Sequence, residues 1–273
     1  MTRKTNWTAT ILLTAGSLFI LFPLYLTVAL ALKTPQETAS SIMALPRILH
    51  FENFSRAIEM TNFFRSFQNS FFITAIAVIL TLLTNSMVAY AIARNMDKKY
   101  FRFLYYYFIS GMFIPFAIIM LPVVKQTTGM GMDNPMGLTV IYIVYGLFFN
   151  TFVYVGYLKS IPVSLEEAAI IDGCGVWKLF WKIVFPLMAP INATVGVVTT
   201  LWVWNDFLLP LVMLTKPEQA TLPLVQYIFQ GQFQTDYNLA FASYLMALIP
   251  MIIIYVIAQK WIIQGVTSGA IKS

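Results

Sequence analysis

The chain has one cysteine and one histidine in 273 residues. A lone Cys174 excludes an internal disulfide, and with only His50 beside it the common zinc spacings cannot be built. Charge is equally scarce. Only 10% of the residues are Asp, Glu, Lys or Arg, against about 25% in a soluble domain. That deficit excludes an ordinary water-facing surface and makes a membrane protein the working class. The net charge of +6 is spread too thinly for a nucleic-acid groove. No glycine-rich phosphate loop of the Walker type occurs, so the chain does not bind ATP by that route. There is no internal repeat, no low-complexity segment and no separate soluble domain. Nothing marks a catalytic or metal-ligating residue, and no cofactor is expected on this chain.

What is abundant is hydrophobic sequence, 59% of the residues. A helix that crosses a bilayer takes about 20 mainly apolar residues. Six windows qualify, at about 7–32, 67–93, 103–124, 136–158, 187–214 and 239–259. Each is expected to be helical, because lipid offers the backbone no hydrogen-bond partner. The first window begins after Arg3 and Lys4 like a secretion signal, but it is longer than the apolar core of such a signal. It is expected to stay as a true span. Lys and Arg set the orientation. With the N-terminus inside, eleven of them lie inside, including Arg94, Lys98, Lys99, Arg102, Lys159, Lys178 and Lys182, and six lie outside. The prediction is an all-α membrane protein of six transmembrane helices with both termini in the cytoplasm. Asp206, near the outer end of the fifth window, is the single acidic residue inside the six. Such a residue is either functional or part of an interfacial aromatic belt with Trp202 and Trp204.

The segment 159–186, between the fourth and fifth spans, concentrates Glu166, Glu167, Asp172, Lys178 and Lys182 between Pro162 and Pro186. It falls on the cytoplasmic side. Ser164 with Glu167 three residues on reads as a capping box, which predicts a short helix over Leu165–Ile171. Gly173 and Gly175 can adopt positive φ and would end it. A second helical piece, Val176–Val184, is limited by Pro186. A short helix lying across the inner ends of two spans can receive a push and pass it on. It can equally be a capped connector that only joins two spans.

Glu167-Ala168-Ala169, three residues, Gly173, nine residues, Ile183, one residue, then Phe185-Pro186 resembles the EAA loop of ABC-importer permeases. The spacing agrees throughout, and Phe185 stands where leucine is usual. Asp172 and Pro190 suit the carbohydrate-uptake branch. Leu32-Lys33-Thr34, Asn69-Ser70, the run Ala89-Tyr90-Ala91-Ile92-Ala93-Arg94, Trp204-Asn205-Asp206-Phe207 and the C-terminal Gln264–Ser273 extend the likeness over nearly the whole chain. The tail and the six-span size resemble the type of subunit represented by the shorter permease of the maltose transporter.

The resemblance implies a single permease domain over 1–273, with a coupling loop at 159–186 and a cytoplasmic tail at 260–273, in the inner membrane of a bacterium or archaeon. It implies as partners a second homologous permease, two ATPase subunits that carry ATP and Mg, an extracytoplasmic solute-binding protein and a sugar, with an oligosaccharide favoured. Glu166, Glu167, Ala168, Ala169, Asp172 and Gly173 would form the ATPase-coupling surface. Glu167 would pair with a basic residue of the ATPase, and the small residues would allow close approach. Gln264, Gly265, Gly269 and Lys272 would reach the ATPase from the tail. Trp204, Asn205 and Asp206 are the candidates for the translocation path, and the outer loops at 33–65 and 216–237 for contacts with the binding protein. The alternative class is an ion-coupled secondary transporter, which would commonly show repeated halves and ion-coupling groups at mid-membrane. A membrane hydrolase would need a nucleophile with a base, and the one histidine lies in an outer loop.

Overall fold

The computed structural model describes residues 6–229 and 236–270, and all regular structure in them is helical. The helices are α1 (Trp7–Ala31), α2 (Pro35–Ser40), α3 (Glu52–Thr61), α4 (Phe63–Ala93), α5 (Lys99–Gly111), α6 (Phe116–Gly129) and α7 (Pro135–Leu158). After them come α8 (Ser164–Ile171), α9 (Val176–Leu179), a π turn (Phe180–Val184), α10 (Phe185–Leu187) and α11 (Ala189–Asn205). The chain ends with α12 (Leu208–Met213), α13 (Leu222–Gln226) and α14 (Tyr237–Ala270). Four helices are long and apolar enough to cross a membrane, and two bent pairs raise the number to six. The chain divides into two compact units, residues 1–67 with 224–250 and residues 68–223 with 251–273.

In the first unit, α1 is an apolar rod that buries only Ala29, Leu30 and Ala31. The carbonyls at its C-terminal end and just beyond meet donors from elsewhere in the unit. Asn53 Nδ2 donates to Ala31 O at 2.9 Å and to Lys33 O at 2.8 Å. Asn238 Nδ2 donates to Leu30 O at 2.9 Å, and the His50 amide to Leu32 O at 3.0 Å. Lys33 is buried, with its ammonium on the carbonyls of Ser41 and Ile42 at 3.0 and 3.1 Å. A capping box does occur here: Thr34 accepts the Glu37 amide and Glu37 accepts the Thr34 amide. Glu37 also accepts the Arg47 amide, which with the Thr34 bond holds its carboxyl below the ordinary value.

The second unit departs from the window reading in three places. The third window, 103–124, is not one rod. It is α5 and α6, bent by 106° across Met112–Pro115. Pro115 disfavours a helical Ile114. Gly111 closes α5 against α7, where a Cβ would stand 2.7 Å from the Phe148 ring. The fifth window, 187–214, is likewise divided, with α11 ending at Asn205 and α12 starting at Leu208. Pro186 does not stop the second loop helix at Val184. The helix runs on to Leu187 and then turns by 76° into α11. Proline has no amide to close the usual bond four residues back, and the widened π turn ahead of it absorbs the defect, with the Phe185 amide reaching Phe180 O.

The last helix, α14, does not stop at residue 259. It continues to Ala270, so the tail from 260 is a helical extension. Lys272 lies outside the described residues, as do residues 230–235 of the outer loop at 216–237.

Asn53 generates a test in the first unit. Asn53→Ala leaves two buried carbonyls without a donor, which costs about 1–3 kcal/mol for each such group. A lowered thermal transition in detergent is expected, with Asn53→Asp no better because it presents an acceptor to two acceptors. An unchanged transition for both would mean that water takes over these bonds.

Candidate functional site: the loop helix and its anchor

Helix α8 starts without the foreseen capping box. Ser164 is already inside the helix, Val163 stands at the cap position, and no side chain caps it. Val163 has helical backbone angles (φ −63°, ψ −29°). The Leu165 amide therefore bonds Pro162 O, and those of Glu166 and Glu167 bond Val163 O. The donors a serine cap would serve are already occupied. The helix end does follow the sequence reading. Gly173 has φ +81°, its amide bonds Ile170 O, and the Cys174 amide bonds Ala169 O. This is a Schellman closure, which needs a left-handed residue where Gly173 stands. Gly175 takes no part in it, with φ −73°.

The helix has two faces. Glu166 and Ala169, three residues apart and so on one side, are buried, whereas Glu167, Ala168, Asp172 and Gly173 are exposed. Ala169 packs into a core shared with Ile92 of α4, Tyr154 and Leu158 of α7, and Leu179 and Val184 beyond the turn. The loop helix is thus seated in the core of the second unit.

Glu166 is the polar centre of that seat. Its Oε2 accepts the Tyr90 hydroxyl at 2.8 Å. Its Oε1 accepts Arg94 Nε at 2.8 Å and lies 2.6 Å from Nη2. Among the described residues this is the one ion pair within 4.0 Å. Arg94 Nη1 also donates to Leu158 O at 3.0 Å, and Nη2 to Ile161 O at 3.3 Å. Four donor contacts from one planar fork hold three elements: the end of α4, the end of α7 and the first turn of α8. Tyr90 and Arg94 share a helix face at four-residue spacing. A carboxylate in the first turn of α8 and a cation following the last turn of α4 both suit the helix dipoles. Removing one partner from a buried pair costs about 3–5 kcal/mol.

Residues 85–268 match the family described as binding-protein-dependent transport system inner membrane component. This match takes in α8, its anchor and most of the spans. The chain belongs to that family. As such a permease it is a multi-pass component of the inner membrane of a bacterial transport system and not a catalyst. It is 40% identical over 265 residues to the multiple sugar-binding transport system permease protein MsmG of Streptococcus mutans serotype c, covering 96% of this chain and 95% of that one. It is 33% identical over 259 residues to the melibiose/raffinose/stachyose import permease protein MelC of Bacillus subtilis, covering 92% and 91%. Among solved structures, a chain of a bacterial ABC transporter involved in import of the acidic polysaccharide alginate superposes with a TM-score of 0.82 at 22% identity, covering 93% of the permease and 95% of that chain.

The other nominated residues of the permease fall in different places. Trp204 is buried, Asn205 is exposed with its amide on Leu201 O, and Asp206 is half-buried where α11 breaks. Asp206 Oδ2 accepts the Tyr142 hydroxyl at 2.8 Å and Oδ1 accepts the Leu208 amide at 3.1 Å. Its carboxylate ties the break to α7 and restarts the chain as α12. Gln264, Gly265 and Gly269 lie on α14. The sequence reading missed Tyr90, Arg94 and Tyr142. A Tyr-x-x-x-Arg pair at the cytoplasmic end of one span, facing the doubly acidic turn of another segment, was the available signal for the first two. Nothing in the sequence pairs Tyr142 with Asp206.

Gly173 is open to a direct test. Its place is roomy, with nothing within 4 Å of an added Cβ, so the demand is on backbone angle. A residue with a Cβ held left-handed costs about 1–2 kcal/mol. Gly173→Val should lower the thermal stability of the permease in detergent more than Gly173→Asn does. Equal effects would mean that the closure relaxes to another turn.

Proposed function

We propose that this permease is one of two membrane-spanning subunits of an ATP-driven importer of sugars, with oligosaccharides as the main cargo. The single observation that carries the coupling role is the division of α8 into a seated face and a free face. A connector has no need to present Glu167, Ala168 and Asp172 to water on a helix locked from behind. The cargo rests on the relatives, whose names specify multiple sugars and melibiose, raffinose and stachyose, with starch degradation products for the 34% identical AmyC of Thermoanaerobacterium thermosulfurigenes, covering 94% of this chain and 93% of that one.

In this reading the whole chain acts as one permease domain. Two ATPase subunits hold ATP and Mg, and one of them docks on the exposed face of α8, with Glu167 meeting a basic side chain and Ala168 and Gly173 letting the surfaces close. The end of α14, with Gln264, Gly265 and Gly269, reaches toward them, and Lys272 of the tail belongs to the same contact. A second homologous permease completes the path, and an extracytoplasmic binding protein delivers the sugar to the outer loops. One solved relative, with a TM-score of 0.67 and 18% identity over 93% of each chain, belongs to an alginate transporter in complex with its pentasaccharide-bound periplasmic protein. Asn205, exposed beside the break that Asp206 holds, is the residue of that group best placed to meet cargo, with Trp204 and Asp206 fixing its setting.

The test is ATP hydrolysis by the complex purified in lipid, with and without the candidate binding protein and a panel containing raffinose, melibiose and maltotriose. Sugar-stimulated hydrolysis is expected. Glu167→Lys reverses the charge at the free face and should abolish the stimulation and weaken ATPase copurification, with the spans still folded by circular dichroism. Sugar uptake that follows an ion gradient, with no ATPase in the complex, would establish the secondary-transporter alternative instead.

A further inference from the structure

We infer that the two adjacent glutamates of α8 divide the work, and that Glu166, through Arg94 and Tyr90, is the positioning residue that makes α4 and α7 follow α8. The inference rests on the coupling reading above and adds the route by which motion enters the spans. Covalently, α8 is joined to α7 through residues 159–163 and to α9 through 172–175. The second of these joints contains Gly173 and Gly175 and is soft in backbone terms. To α4 there is no short covalent path, since Glu166 and Arg94 are 72 residues apart. A push on the free face of α8 reaches α4 through the shared apolar core and through the Arg94 fork.

Apolar contacts are non-directional and let one helix slide or roll over another. The fork does not. Its Nε and Nη2 hold one carboxylate oxygen, Tyr90 holds the other, and Nη1 and Nη2 hold the end of α7. Roll of α8 about its own axis would pull Glu166 off both donors, and translation would drag Arg94 with it. The side chains of Glu166 and Arg94 are only 6% and 16% exposed, so water is poorly placed to replace a lost bond. Lysine in place of Arg94 keeps the charge but cannot supply a planar fork to three acceptors.

Cys174, one residue past Gly173 and half-buried against the same core, is a native reporter of how firmly α8 is seated. In the purified complex, Glu166→Gln and Arg94→Lys should each raise the rate of maleimide labelling at Cys174 by about tenfold or more, the scale expected for loss of a charge-assisted bond from a local opening equilibrium. Ser164→Ala, an exposed substitution on α8 outside the proposed docking surface, should leave it within about twofold. The second readout separates transmission from simple stability. In a Cys174→Ser background with Phe72→Cys on the exposed side of α4, a non-hydrolysable ATP analogue with Mg should change labelling at position 72. Adding Glu166→Gln should remove that change while the ATPase still copurifies and still hydrolyses ATP. Unchanged Cys174 labelling in both anchor variants overturns the proposal. So does a nucleotide response at position 72 that survives Glu166→Gln. Loss of the ATPase from Glu166→Gln would overturn it too, by making Glu166 a docking residue. Absence of an ATPase from the wild-type complex overturns the coupling reading itself and is seen before any variant is made.

Discussion

Every break in a helix leaves backbone donors and acceptors that lipid cannot satisfy, and several polar residues of this chain are spent on those breaks. At the end of α1 the carbonyls of Leu30, Ala31, Leu32 and Lys33 are taken by Asn238, Asn53 and the His50 amide. At the break between α11 and α12, Asp206 accepts the restarting amide and a tyrosine hydroxyl. At the end of α7 the Arg94 guanidinium donates to two carbonyls. Before Pro186 the chain widens one turn, and Asn192 Nδ2 and the Tyr157 hydroxyl donate to the carbonyls of Phe185 and Leu187.

The same rule explains why so few charges are buried and why each has a distinct setting. Lys33 is fully covered yet meets only carbonyl oxygens, so its charge is balanced by dipoles at the end of a helix. Glu166 meets a formal cation. That difference matters mechanically. A charge solvated by carbonyls of its own loop fixes the loop, whereas a pair drawn from two distant segments fixes the segments to each other. The permease uses the first device in its first unit and the second beneath the loop helix.

The six apolar windows were readable because hydropathy over about 20 residues reports the solvent a segment meets. The breaks inside them were not. At Met112–Pro115 the residues stay apolar across a bend of 106°, so composition carries no trace of it and only Gly111 and Pro115 hint at it. The loop helix was legible from Pro162, Gly173 and the EAA spacing. Its start was misread because a serine followed by a glutamate fits a capping box whether or not the preceding turn has already used the donors. The two glutamates were indistinguishable in sequence. Their separation depends on a helical rotation that sends Glu166 inward and Glu167 outward, and on an arginine that lies 72 residues earlier. Pairings at that distance are set by tertiary structure, as is that between Tyr142 and Asp206.

The Arg94–Glu166 pair also orders events during biosynthesis. Arg94 leaves the ribosome long before its partner, and at about 5–20 residues per second the intervening 72 residues take roughly 4–14 s. Through that interval the guanidinium is left to water, lipid phosphates and its own segment, including Asp97, at the membrane surface. α7 must insert before its terminal carbonyls are in place to be capped, and the carboxylate arrives only with the first turn of α8. The seam beneath the loop helix can therefore form only after α4 and α7 are both in place.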